Sequence, residues 1–167
     1  MKKQTQVVFF VALSSNSGKT TLIEKIVPIF KARGLRVAVI KHASSGFDLD
    51  KPGKDSWRFQ QAGADAVILA GSDRVAFMKK VEREPSSEEL ERLAGDVDIV
   101  IFEGFKKNAK NRIEIFRQGV SGDRPLCMHD PSFLALVSDK PFDVPIPCFD
   151  LNDAPGVADF IVTRMAH

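Results

Sequence analysis

A glycine followed by lysine and threonine, in the run Ser15-Asn16-Ser17-Gly18-Lys19-Thr20-Thr21-Leu22, carries the clearest chemistry in this chain. A β-strand that breaks into small polar residues and then Gly-Lys-Thr aims backbone N–H groups inward, and the helix that follows adds the positive end of its dipole. Such a nest holds phosphate. Lys19 would lie along the β- and γ-phosphates of a nucleotide, and the Thr20 hydroxyl is placed to ligate Mg²⁺. Ser15, Asn16, Ser17, Gly18 and Thr21 complete the expected cradle. The full pattern has glycine six residues before the lysine, where this chain has Leu13. Glycine suits a strand that turns sharply around phosphates, so Leu13 requires a backbone compatible with a side chain and predicts a distorted or wider loop. The alternative is an ordinary helix N-terminus capped by Asn16 or Ser17.

Further candidates follow from where ligands sit on parallel sheets, outside the carboxyl ends of the strands. Glu103 ends the apolar run Ile99-Val100-Ile101-Phe102 and is expected to position Mg²⁺ through a water or to orient an attacking water. A hydrated strand-end acid is the alternative. Residues 41–56 form a polar loop holding Lys41, His42, Asp48 and Asp50 around Gly46, Pro52 and Gly53. Asp48 and Asp50, two apart, could converge on a second metal contact or act as a general base, or simply form turns. His42 is a nucleotide-binding candidate, although one histidine cannot make a metal site. There is no Asn-Lys-x-Asp run to read guanine. Asp139, after Leu134-Ala135-Leu136-Val137-Ser138, is the nearest substitute, because a carboxylate can accept from guanine N1–H and N2–H₂ together. A plain turn residue is the alternative there.

These residues need a scaffold, and the hydrophobic pattern supplies one. A strand is expected over residues 7–13, then a helix over 20–33 with Leu22, Ile23, Ile26, Val27 and Phe30 on one face, Pro28 inside it and Gly34 closing it. Residues 36–42 read as a strand buried on both faces. A short helix over 55–64 and a hairpin of 65–71 with 74–81 come next, followed by a helix opened by the capping-box pair Ser86 and Glu89. Strands over 98–102, 112–117, 134–137 and 146–149 and a helix over 155–165 complete the chain. The alternation predicts one domain over residues 1–167: a three-layer α/β fold with a mostly parallel sheet and an added antiparallel hairpin.

Composition narrows the functions. The chain has 167 residues, 44% of them hydrophobic, which suits one core. With 24 basic and 22 acidic residues there is no overall field for nucleic acid, and none is expected as a partner. The local basic run Lys106-Lys107-Asn108-Ala109-Lys110-Asn111-Arg112 reads as a solvated turn or as a contact for an anionic partner. Cys127 and Cys148 form no CxxC and read as buried thiols of a cytosolic protein. The basic start and apolar run to Leu13 superficially resemble a signal peptide, but cleavage there would sever the strand the phosphate loop needs. No stretch approaches the roughly 20 apolar residues of a membrane span. A cytoplasmic location is expected.

The phosphate loop, Val39-Ile40-Lys41-His42, Phe47-Asp48 through Pro52-Gly53-Lys54-Asp55-Ser56, Ala62-Gly63-Ala64, Glu103-Gly104-Phe105-Lys106 and Ile113-Glu114-Ile115 together resemble the molybdopterin-guanine dinucleotide biosynthesis protein B (MobB) family. The similarity runs in order over most of the chain. The phosphate loop is shared by very many families, whereas the blocks KHASSGFDLDKPGKDS and EGFK are far more specific. The resemblance implies a P-loop NTPase fold, GTP and Mg²⁺ as cofactors, weak hydrolysis and a homodimer. It also implies a supporting role beside a MobA-type guanylyltransferase that joins GMP to molybdopterin, with molybdopterin itself a further candidate ligand. Leu13 and Ala43-Ser44-Ser45 depart from the family pattern, which has glycine at the first position and more histidine at the second. A small-molecule kinase, transferring the γ-phosphoryl to a metabolite under the 41–56 loop, would use the same cradle.

Overall fold

Strand β1 (Gln6–Val11) lies near the middle of a six-stranded sheet whose order is β2-β5-β1-β6-β7-β8. The computed structural model describes residues 5–43, 46–47, 50–105 and 110–165. The other strands are β2 (Val37–Lys41), β5 (Ile99–Glu103), β6 (Arg112–Phe116), β7 (Phe133–Ser138) and β8 (Cys148–Asp150). Every pairing in the sheet is parallel. All six carboxyl ends therefore share one edge. Register sharpens this, since Glu103 pairs with both Phe10 and Lys41.

Helix α1 (Lys19–Ala32) forms because its apolar residues recur at three and four, and it buries Leu22, Ile23, Ile26 and Phe30. Pro28 falls on its exposed face, where the carbonyl freed by the missing N–H meets water. The helix ends as the sequence predicts. Gly34 adopts φ 74°, and its N–H and that of Leu35 bond the carbonyls of Lys31 and Phe30. Together with α4 (Ala154–Met165), α1 covers one face of the sheet through Phe10, Ile101, Ile115 and Val137. The other face buries Phe9, Val100, Phe102 and Leu136 against Leu90 and Ala94 of α3 (Ser87–Ala94). Phe9 and Phe102 stack there with ring centres 4.5 Å apart. The result is the expected three-layer α/β architecture.

One strand departs from expectation. β2 is not buried on both faces: Val39 is 45% exposed. Its run Val37-Ala38-Val39-Ile40 is as apolar as that of β5, but β2 is the sheet edge whereas β5 is flanked on both sides.

A buried acid on β6 holds the segment that follows. Glu114 has no exposed surface, and its two carboxylate oxygens accept the N–H groups of Leu126 and Cys127, each at 2.8 Å. Those residues open a single 3-10 turn, Leu126–Met128. Arg112, at the start of β6, donates to Asp130 at 2.6 Å and to the Ser132 hydroxyl, and its guanidinium lies 4.3 Å from the Phe133 ring centre. Bonds from the Ser132 hydroxyl and N–H, aided by Arg112, hold the Asp130 carboxyl down to about 2. Burial, reinforced by the Glu114 charge, pushes the Cys127 thiol up to about 12.

The chain divides into two compact units, Met1–His42 with Ser87–His167, which carries this sheet, and Ala43–Ser86. The second unit contains α2 (Asp55–Gln61) and the antiparallel pair β3 (Ala66–Ala70) and β4 (Val75–Lys79), the hairpin the sequence predicts. Its strands expose Ile68, Leu69, Val75 and Phe77.

Candidate functional site

The segment from Leu13 to Gly18 turns from β1 into α1 without a glycine at its start. Among the described residues, the non-glycine positions with positive φ are Asn16 (61°) and Asn111 (53°). Leu13 is not one of them. The left-handed steps of the phosphate loop fall instead on Asn16 and on Gly18 (97°), and asparagine tolerates that region better than most side chains. Leu13 is therefore free of the backbone strain that its side chain would otherwise bring, and it lies 47% exposed.

Gly18 is the N-cap of α1 and brings no side chain to it, and no acid lies in the first turn of the helix. The Ser17 hydroxyl donates to the Ser14 carbonyl instead, at 2.8 Å. Neither Ser17 nor Asn16 acts as a cap. The helix start presents the positive end of its dipole, which favours an anion. Lys19 Nζ reaches back to the same Ser14 carbonyl at 3.1 Å, so it lies folded over the loop. Ser15, Asn16 and Thr21 are exposed around it.

Across the sheet edge, Thr20 Oγ1 donates to Glu103 Oε1 at 2.7 Å. Glu103 is 8% exposed, and Lys41 Nζ stands 3.8 Å from the same oxygen. A hydroxyl and a carboxylate side by side are the hard oxygen donors that Mg²⁺ takes, with phosphate oxygens and waters filling the remaining positions. Among the described residues no group of three or more His, Cys, Asp or Glu gathers as a metal cage. His42 lies beside this pair through its backbone, its N–H bonding the Glu103 carbonyl at 2.9 Å, while its ring packs 4.9 Å from that of Phe105.

The other predicted residues have separate placements. Asp139, at the end of β7, accepts the Gln118 N–H at 3.0 and 3.2 Å through its two oxygens. It is exposed on the same sheet edge as the phosphate loop. Asp50 belongs to the Ala43–Ser86 unit, where it accepts from the Lys51 N–H, the Ser56 hydroxyl and the Gln60 amide. It anchors the start of α2. Asp48 lies outside the described residues, as do Lys106 and the three residues after it. Sequence reasoning missed Ser121, whose hydroxyl meets that of Ser17 at 3.1 Å. No local pattern marks a serine so far along the chain.

The family model for molybdopterin guanine dinucleotide synthesis protein B, MobB, matches residues 7–139, a span that includes the phosphate loop, Glu103 and Asp139. The chain belongs to the MobB family. The molybdopterin-guanine dinucleotide biosynthesis adapter protein of Escherichia coli strain K12 is 39% identical over 159 residues, covering 90% of this chain and 89% of the relative. The corresponding adapter protein of Haemophilus influenzae is also 39% identical, over 92% of this chain and 86% of its own length. A crystal structure of molybdopterin-guanine biosynthesis protein B superimposes with a TM-score of 0.73 at 33% identity, over 96% of this chain and 99% of the other. Bacillus subtilis MobB gives 0.74 at 25% identity, over 95% and 97%. These structures share the P-loop fold derived above. The small-molecule kinase alternative is not supported by these relatives.

Proposed function

We propose that this chain binds Mg²⁺-GTP in the 13–21 cradle and serves as an adapter in molybdopterin guanine dinucleotide biosynthesis. On this reading residues 1–167 act as one nucleotide-binding domain, in the cytoplasm. The adapter role follows the names of the relatives, and the observation that carries the site is the Thr20 hydroxyl set 2.7 Å from the buried Glu103. Lys19 would lie along the β- and γ-phosphates, the loop N–H groups would hold the remaining oxygens, Thr20 would ligate the metal and Glu103 would position it through a water. Asp139, exposed on the same sheet edge, would accept from guanine with the lone pairs left beyond the Gln118 N–H. Asp48, Asp50 and His42 are the further candidates for the metal, the water and the nucleotide.

Hydrolysis is slow at most. The loop itself contains no arginine, and Arg112 is engaged by Asp130 and Ser132. An arginine finger is worth about 10³–10⁵ in rate, so its absence from the cradle fits an adapter. The partners proposed are a MobA-type guanylyltransferase, molybdopterin and a second copy of this chain. Exposed Ile68, Val75 and Phe77 on a two-stranded hairpin support the homodimer, because an isolated pair of strands is marginal in water and keeps open edges. Among the described residues no helix is long and apolar enough to cross a membrane.

The test is a titration of GTP against ATP with Mg²⁺ present, on the wild type and on Lys19→Ala. GTP is expected to bind more tightly, and Lys19→Ala to weaken it by about 1.5–3 kcal/mol, the range for hydrogen bonds to charged groups. An unchanged affinity removes Lys19 from the site. A preference for ATP overturns the role given to Asp139.

A further inference from the structure

The phosphate loop does not stand alone at the sheet edge. Residues 117–122, which follow β6, touch it at three points. The Ser14 hydroxyl donates to the Val120 carbonyl at 2.6 Å. The Ser121 hydroxyl donates to Ser17 Oγ at 3.1 Å, and both serines are fully buried. Leu13 fills the third contact: a Cβ placed on Gly122 would lie 3.3 Å from its Cδ2.

The hydroxyls form a directed chain. The Arg117 N–H donates to Ser121 Oγ at 3.0 Å, Ser121 to Ser17, and Ser17 to the Ser14 carbonyl, which also receives Lys19. The far side of the 117–122 loop is tied down as well, because Asp139 accepts the Gln118 N–H. When Lys19 moves to a phosphate, the Ser14 carbonyl loses one of its two donors. The Ser17 hydroxyl, oriented by Ser121, keeps it paired.

We propose that the 117–122 loop is a fixed wall of the phosphate cradle, and that Ser121 is a positioning residue that sets the cradle for triphosphate through Ser17. The inference rests on the reading of the cradle as a GTP site. Leu13 belongs to the same device. Its side chain packs the loop entrance against Gly122, in place of the glycine that other phosphate loops have there.

The experiment measures Mg²⁺-GTP dissociation constants for the wild type, Lys19→Ala, Ser17→Ala, Ser121→Ala and the Ser17→Ala/Ser121→Ala double variant, each shown to be folded by its thermal transition. Ser121→Ala is expected to bind about tenfold more weakly, the equivalent of one buried hydrogen bond. The double variant is expected to bind no more weakly than Ser17→Ala, because both changes cut one chain. Leu13→Gly changes an exposed side chain and tests the same wall where Ser121→Ala does not fold. Although it restores the common pattern, it is expected to weaken GTP rather than strengthen it. A wild type that binds no nucleoside triphosphate overturns the underlying GTP reading. A wild type that binds, with loss in Lys19→Ala but none in Ser121→Ala, overturns this inference alone. So do losses that multiply in the double variant, or tighter binding by Leu13→Gly.

Discussion

Glu114→Gln isolates what a single buried carboxylate contributes to this sheet. Both oxygens of Glu114 accept backbone N–H groups at 2.8 Å, and the side chain has no exposed surface. Glutamine keeps the shape and one acceptor oxygen, but turns an NH₂ toward the second N–H. One charge-assisted bond is then lost, at about 1.5–3 kcal/mol, and the other becomes a neutral bond of about 0.5–1.5 kcal/mol. Relief from burying a charge offsets part of this, which leaves an expected loss of about 2 kcal/mol. For a chain of this length that lowers the thermal midpoint by roughly 4–8 °C. Urea unfolding followed by circular dichroism measures it, as a lower midpoint with an unchanged slope. Glu114→Leu strands both N–H groups and is expected to cost more than the glutamine variant. A leucine variant as stable as the wild type would refute the reasoning, since it would show that desolvation of the charge outweighs the two bonds it accepts.

Four other outcomes can be checked on the same protein. The folded-state titration of Cys127 is raised to about 12, so its contribution to stability is fully present below the ordinary thiol value of about 8.5 and is lost as pH rises through 12. The wild type is expected to lose more stability on that alkaline limb than Cys127→Ala, and a thiol reagent is expected to spare buried Cys127 and label Cys148, which lies exposed on the edge strand β8 and not buried as its sequence suggested. Asp130 is depressed to about 2, which places its contribution above the ordinary carboxyl value near 3.9 and removes it as pH falls through 2. The stability gap between the wild type and Asp130→Asn should therefore narrow between about pH 4 and 2 in acid unfolding. Pro28→Ala restores a helix N–H on the exposed face of α1 and is expected to raise stability by about 1–3 kcal/mol, read as a higher thermal midpoint.

Local patterns made much of this molecule legible. The spacing of Leu22, Ile26 and Phe30 marked α1, Gly34 marked its end, and the short break between residues 71 and 74 marked the hairpin, because each depends on neighbours within a few residues. Strand order is a property of the whole chain. The run Val37-Ala38-Val39-Ile40 therefore read like a central strand although β2 is the edge. The Lys19, Thr20 and Glu103 grouping was legible for a similar reason, since parallel strands deliver their carboxyl ends to one side. The uses of Glu114 and Ser121 were not. Arg112-Ile113-Glu114-Ile115 alternates like a half-exposed strand, and only the turn at Leu126 explains why an acid can be buried there. Ser17 and Ser121 meet through two loops that the sheet brings together, which no spacing in the sequence encodes.

The contact between Leu13 and Gly122 bears on how this loop can vary among relatives. Gly122 adopts φ 84°, and a side chain there would also press on Leu13, so two separate demands keep that position small. A relative with glycine at the strand end is released from the steric demand and keeps only the conformational one, which asparagine can also meet. Asparagine at the second position should then accompany glycine at the first and be rare beside leucine. A search pattern that insists on the first glycine would discard chains in which that demand for smallness has passed to the neighbouring loop.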